Sequence, residues 1–363
     1  MTRPPTVATT GRWRAWAELL RVSALASVPG DALAGAAAAG ARPGRGTLWA
    51  IGASLCLYEA GMALNDWADR EEDAAERPHR PLPSGRITPA AALAASAALT
   101  ATGLGLASRA GRPALTVATA LATTVWAYDL GLKHTPAGPA TMATARALDL
   151  LLGATATTHP QPRPTHPQPR PTHPQHRPTH PQHRAFRALP AAALLGAHTY
   201  AVTAVSRHET HGGSTRTPLA ALAVTLTVAG TLSTRTPPSP PPGPPAPRPH
   251  PALPFPNPGP HSARSHPGRP HSGRPHLSRS HPGRPHLGSL LALAYARTPA
   301  TLLLHAALNP SAALTERAVG GGIRATIPLQ AALAARAGAT GTALGLLGLV
   351  PLARALARKV SPT

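Results

Sequence analysis

Of the thirteen Asp and Glu residues in this 363-residue chain, six lie between positions 66 and 76, in the segment NDWADREEDAAERPHRPLPSGRI, residues 65–87. At about 100° of rotation per helical residue, Asp66, Asp69, Asp73 and Glu76 share one face, an arc of about 80°, with Asn65 at its edge. Like charges at these spacings repel and destabilise a helix, so such a face wants a cation. Carboxylates suit Mg²⁺, which keeps part of its water and takes one or two protein carboxylates together with phosphate oxygens. Pro78, Pro81 and Pro83 end the helix, and Arg77, Arg80 and Arg86 bring positive charge back towards the acids. Guanidinium forks match phosphate oxygens. Acids, cation and arginines together make a site for a diphosphate. The same residues also make a solvated loop in which acids and arginines simply pair.

The elements that carry this segment are apolar. Charged residues make up 13% of the chain, against about 25% in an ordinary soluble domain. Apolar runs recur at about 47–64, 89–108, 113–128, 138–157, 185–205, 218–233, 289–308 and 326–352, with a weaker one at about 15–40. Most approach the roughly 20 residues needed to cross a bilayer. Where a soluble bundle would show polar faces at regular spacing, they offer Thr and Gly, and small residues let membrane helices approach closely. The fold expected is all-α, a polytopic membrane bundle of about nine transmembrane helices.

Most of the 46 prolines, and eleven of the 35 basic residues behind the net charge of +22, lie elsewhere. Residues 158–184 repeat PTHPQPR or PTHPQHR, and residues 234–288 are mostly Pro, His, Arg, Gly and Ser; together they hold 28 of the prolines and 13 of the 19 histidines. Proline at that density blocks helix and ladder alike, and too few apolar side chains remain to offset the ordering entropy. Both segments read as disordered inserts dividing the chain into 1–157, 185–233 and 289–363. No nucleic-acid interface is expected, because the inserts carry eleven of the 35 basic residues without any aromatic platform to accompany them. The lone Cys56 excludes a disulfide framework.

Nine spans put the N-terminus, with Arg3, Arg12 and Arg14, on the same face as residues 65–88. The positive-inside rule makes that face cytoplasmic. A bacterial cell-membrane protein without a cleavable signal peptide is expected, since the first run is long and followed by more spans.

The acidic segment resembles the first Asp-rich motif of the UbiA superfamily of intramembrane prenyltransferases, N-D-x-x-D-x-x-x-D, here Asn65, Asp66, Asp69 and Asp73. The following RPHRPLPSG, Arg77 to Gly85, is equally typical of that family. The resemblance implies a helical bundle with a cytoplasm-facing cavity, in which Mg²⁺ bridges two Asp-rich motifs and an isoprenoid diphosphate. It implies transfer of the isoprenoid group to an acceptor that the resemblance does not specify. Asp66, Asp69 and Asp73 would be catalytic metal ligands, with Asn65, Arg77 and Arg80 on the substrate. Tyr128 and Lys133, in YDLGLK, occupy the family's Tyr…Lys segment, where Lys helps hold diphosphate. At the second motif this chain has SRHETHGG, residues 206–213, so that Glu209 alone keeps a carboxylate, between Ser206 and Gly213. That departure is similar to a less-characterised actinobacterial and Ebo-type branch. Glu209 is expected to complete a Mg²⁺ site, with His208 or His211 contacting phosphate or acting as a base. The reduced motif also leaves open a non-catalytic membrane protein that binds or carries an isoprenoid lipid.

Other polar residues inside spans are functional candidates by default. Glu59, on the face of Asp66 but deeper, is either an acceptor-site base or the partner of an intramembrane Arg. Arg146 and Asp149, at i,i+3, are expected to pair with each other. His198 and His305 are read as packed histidines, and Asn309 to Arg324 as a last cytoplasmic loop without chemistry.

Overall fold

The computed structural model describes residues 7–21, 25, 27–156, 181–210, 212–234 and 287–360. Most of the two Pro-rich inserts, together with His211, lies outside the described residues. Those residues form twelve α-helices and no strand: α1 Val7–Leu19, α2 Val28–Ala38, α3 Arg45–Ala68, α4 Arg70–Glu76, α5 Pro89–Ala110, α6 Arg112–Leu130, α7 Gly138–Ala156, α8 Pro181–Ser206, α9 Arg216–Ser233, α10 Leu287–Leu308, α11 Ala312–Arg336 and α12 Thr340–Val360. Four segments, Arg45–Ala68, Pro89–Ala110, Ala185–Ser206 and Leu287–Leu308, are long and apolar enough to cross a membrane.

The all-helical expectation holds, but the count of nine spans does not map onto these elements. The weak first run divides into α1 and α2, with Arg21 at the break in a left-handed conformation, φ 46°. The last apolar run, 326–352, merges the end of α11 with α12; Ala337 and the left-handed Gly338 (φ 80°) turn the chain between them. The expected cytoplasmic loop 309–324 is mostly the first half of α11. Its triple glycine does not break the helix, because Gly321 and Gly322 face Leu302 and Val202 so closely that a Cβ would clash at 2.5 and 2.4 Å. The glycines let the Leu302 and Val202 side chains pack directly on the helix backbone. Helix α8 begins at Pro181, four residues inside the expected insert.

Helix α2 sits at the centre, packed on α3, α7, α8 and α11. Its contact with α7 is made backbone to backbone. A Cβ on Gly35 would lie 1.9 Å from the Leu150 carbonyl oxygen, and one on Gly153 would lie 2.2 Å from that of Ala32. Small residues thus do here what large side chains do in a water-soluble core. Helix α3 packs on α5, α6 and α7, and the last three residues of α3, Asp66, Trp67 and Ala68, lead through Asp69 into α4.

Candidate active site

The acidic segment does not present its carboxylates in one row. Asp69 separates α3 from α4, and the acids either side of it are buried, Asp66 at 5% exposure and Asp73 at 2%. Arg80 lies between these two, its Nη1 2.7 Å from Asp73 Oδ2 and 3.6 Å from Asp66 Oδ1. Arg77 Nη1 adds a contact of 3.4 Å to Asp73, and Arg21 Nη2 donates to Asp66 Oδ1 at 3.2 Å. Asp69 turns the other way, to an ion pair with Lys133, whose side chain is 8% exposed. Arg86 is absent from the cluster: it forks onto Glu18 of α1 at 2.7 and 3.1 Å, so its expected return to the acidic face does not occur. Glu76 stays at the surface beside Arg77.

Beside this cluster opens a cavity of about 330 Å³ between α3, α6 and α7. Arg21, Asn65, Tyr128 and Asp129 line it near the cluster; Leu57, Gly61, Leu121 and Val125 wall its middle. Asn65 Nδ2 donates to Asp129 Oδ1 at 3.2 Å, which joins α3 to α6 at the mouth. An apolar chamber next to buried carboxylates and four cations suits a molecule with an anionic head and a hydrocarbon body.

The 206–213 loop reaches this mouth by two routes. Arg207 donates to the Thr135 carbonyl, in the turn that carries Lys133, and it lies within electrostatic reach of Tyr128. Glu209 is half-buried with Arg77 and Glu316 as its charged neighbours; burial chiefly, and Glu316 next, push its carboxyl above the usual carboxylate range, while Arg77 opposes the rise. Glu316 belongs to the stretch from which no chemistry was expected. His208 turns away: its Nε2 is 3.3 Å from Thr217 Oγ1, at the start of α9. The His211 expectation falls outside the described residues.

Two other expectations are corrected. Arg146 pairs with Asp31 of α2, Nη1 to Oδ2 at 2.9 Å, while Asp149 accepts from Ser54 Oγ at 2.5 Å. The i,i+3 pairing is displaced because α2 and α3 bring better-placed partners to α7. Glu59 is buried, yet it neither lines the cavity nor contacts an Arg among the described residues. His198 is packed as expected, between Tyr295 and the Gly322 carbonyl at 3.0 and 3.1 Å, whereas His305 is exposed.

The donors fit Mg²⁺ in kind. The carboxylates are hard oxygen donors; two of them, Asp69 and Glu72, with the His134 imidazole, bring ligand atoms within 4.8 Å of one another, a group that does not include Asp66, Asp73 or Glu209. Four contributors at or near the mouth were not anticipated: Arg21, Asp129, Arg207 in its bridging role, and Glu316. Asp129 had a signal, an acid at the end of an otherwise apolar run. Arg21 had none, since its approach depends on the break between α1 and α2.

The model of the UbiA prenyltransferase family matches residues 27–235. Digeranylgeranylglyceryl phosphate synthase of Methanopyrus kandleri is 35% identical over 123 residues, 34% of this chain and 45% of that protein. The enzyme of the same name from Methanothrix thermoacetophila is 42% identical over 84 residues, 23% of this chain and 32% of that one. The matches thus span less than half the length of these curated relatives. Among solved structures, a UbiA homolog from Aeropyrum pernix K1 superposes with a TM-score of 0.54 over 85% of this chain and 96% of its own, at 12% identity. A digeranylgeranylglyceryl phosphate synthase structure superposes at 0.52 over 90% and 98%, at 14% identity. These two likenesses show the fold, and the family match covers more than half of the chain: it belongs to the UbiA prenyltransferase family.

Proposed function

We propose that this protein transfers an isoprenoid group from an allylic diphosphate to an acceptor, inside a membrane and with its cavity facing the cytoplasm. The observation that carries this reading is the chamber itself: an apolar cavity whose mouth is ringed by Arg21, Asn65, Tyr128 and Asp129, beside the Asp66–Arg80–Asp73 cluster and the Asp69–Lys133 pair. Asp66, Asp69 and Asp73, with Glu209 across Arg77, would hold Mg²⁺. When bound, that ion supplies Lewis-acid neutralisation of diphosphate oxygens. Arg21, Arg80 and Lys133 offset the charge that develops as the C–O bond breaks and its electron pair leaves with the diphosphate. The acceptor then forms its bond to the allylic carbon, and Asp129, held by Asn65, is the carboxylate placed to take the acceptor's proton. The surrounding helices exclude water from the cation. Pairing of Asp66 and Asp73 with Arg80 keeps these buried carboxylates matched, as buried charge requires.

The test uses the chain in nanodiscs with farnesyl and geranylgeranyl diphosphates. Asp69→Ala is expected to lower Mg²⁺-dependent pyrophosphate release by about a hundredfold or more, and chelation is expected to abolish it. Undiminished release in Asp69→Ala would overturn the reading. A second reading, a lipid-binding protein without turnover, is favoured by the single carboxylate at the second motif; it predicts metal-independent isoprenoid binding and no pyrophosphate.

A further inference from the structure

Helix α1 is too short to cross a bilayer: its 13 residues rise about 20 Å, against about 30 Å of hydrocarbon. It is seated where α3 ends and α5 begins, two helices long and apolar enough to be spans. Ala15 and Leu19, both wholly buried, pack with Ala63 near the end of α3 and Ala92 in the first turn of α5. Trp67, one residue from the end of α3, packs against the same cluster, and the Arg70 guanidinium stacks over its ring at 4.9 Å. Tryptophan collects at the headgroup level, where spans leave the hydrocarbon, and this places α1 at the membrane–water boundary.

The other face of α1 turns away from that seat. At about 100° per residue, Trp13 and Arg14 lie about 140° and 120° from the centre of the Ala15–Leu19 face. Trp13 is 76% exposed, and Arg12 and Arg14 beside it are exposed too. Neither arginine has an ion pair among the described residues, because Glu18, the one acid of α1, is taken by Arg86. An indole offers a large apolar body and one N–H, so it gains most where one end is apolar and the other wet.

We propose that this face of α1 docks on the anionic phospholipid headgroups of the adjoining leaflet, with Trp13 at headgroup level and Arg12 and Arg14 on lipid phosphates. Charge selects the partner: two unpaired cations match an anionic surface, and guanidinium forks fit phosphate oxygens. The ring between them needs an apolar layer beneath the charge, which a bilayer has and a soluble polyanion lacks. Docking also seats the end of the helix that leads to Arg21, the donor to Asp66 at the cavity mouth. The inference rests on the membrane bundle and not on the transfer reaction.

The experiment uses the full chain in nanodiscs of phosphatidylcholine, with and without phosphatidylglycerol, and reads acrylamide quenching of tryptophan fluorescence. The share of Trp13 is the difference between wild type and Trp13→Phe. Its docked-to-free ratio is expected to be about thirtyfold higher in the anionic discs, about fivefold from each arginine. Arg12→Gln/Arg14→Gln is expected to erase that advantage, and so is high salt on the wild type, an arm that needs no variant to fold. Equal shielding in the two lipids, or a lipid preference that survives the double variant or high salt, overturns the proposal. Trp13 open to acrylamide in both discs also overturns it and leaves the face to a protein partner. Mg²⁺–pyrophosphate binding is measured alongside: its absence, with Trp13 still shielded by anionic lipid, counts against the transferase reading and leaves the docking surface standing.

Discussion

Arg80 shows how one side chain serves both stability and chemistry. It separates two buried carboxylates, Asp66 and Asp73, that would otherwise face each other. Removing one partner from a buried pair is far more damaging than replacing both. Arg80→Ala is expected to destabilise the chain by about 3 kcal/mol, measured by thermal unfolding in detergent, and to lose pyrophosphate binding as well. Glu209 behaves in the opposite sense. Its carboxyl titrates above the ordinary value of 4.5, chiefly through burial. A raised folded-state value means that stability present below about pH 4.5 is lost as pH rises through it. Glu209→Gln is therefore expected to be more stable than wild type at pH 7, with the difference vanishing below pH 4.5, yet weaker in Mg²⁺–pyrophosphate binding. A variant that is less stable at pH 7 would remove burial as the cause. The three acids of the first motif, Asp66, Asp69 and Asp73, were legible from spacing alone, but their partners were not. Lys133 was named for the family's sake, and only the turn at Leu132–His134 shows that it reaches Asp69.

At the scale of elements, the site depends on how closely α2 and α7 approach. Gly35 and Gly153 leave no room for a methyl group against the opposing backbone. Gly153→Ala is expected to cost about 1–3 kcal/mol through overpacking and to lower the thermal midpoint. Gly105→Ala in α5, which meets nothing within 4 Å, should leave it unchanged or raise it, since Ala is the better helix former. Equal effects of the two would refute the close-packing account. Helix α1 buries Ala15 and Leu19 against Ala63, Leu82, Ile87 and Ala92, and a half-exposed fork from Arg86 to Glu18 lies beside that contact. An exposed pair contributes about 0–1 kcal/mol, so Arg86→Ala should leave pyrophosphate binding intact. Most helix positions were readable from apolar runs, whereas the breaks at Arg21 and Gly338 were not. A left-handed arginine has no sequence signature, and an apolar run interrupted by one turn looks like a single longer run.

For the whole molecule, the expected partition is into the membrane. Alkaline carbonate and high salt should leave the chain in the pellet and detergent should release it; release by salt alone would contradict the bundle. The excess of proline says little about this, because 28 of the 46 prolines lie in two segments that fall mostly outside the helices described. What the sequence determined by itself was local: helix-length apolar runs, the helical spacing of Asp66, Asp69 and Asp73, and the arginines that follow. Those features depend only on residues a few positions apart, where helical periodicity is fixed by backbone geometry. What only the tertiary structure decided was partnership. Arg146 chose Asp31, 115 positions away, over an acid three residues along its own helix; Arg21 found Asp66; Asp129 met Asn65; and a chamber opened beside them. Such choices turn on distances between helices, and small residues set those distances. Ala, Gly and Leu repeat so uniformly here that their pattern encodes a bundle without specifying which faces meet.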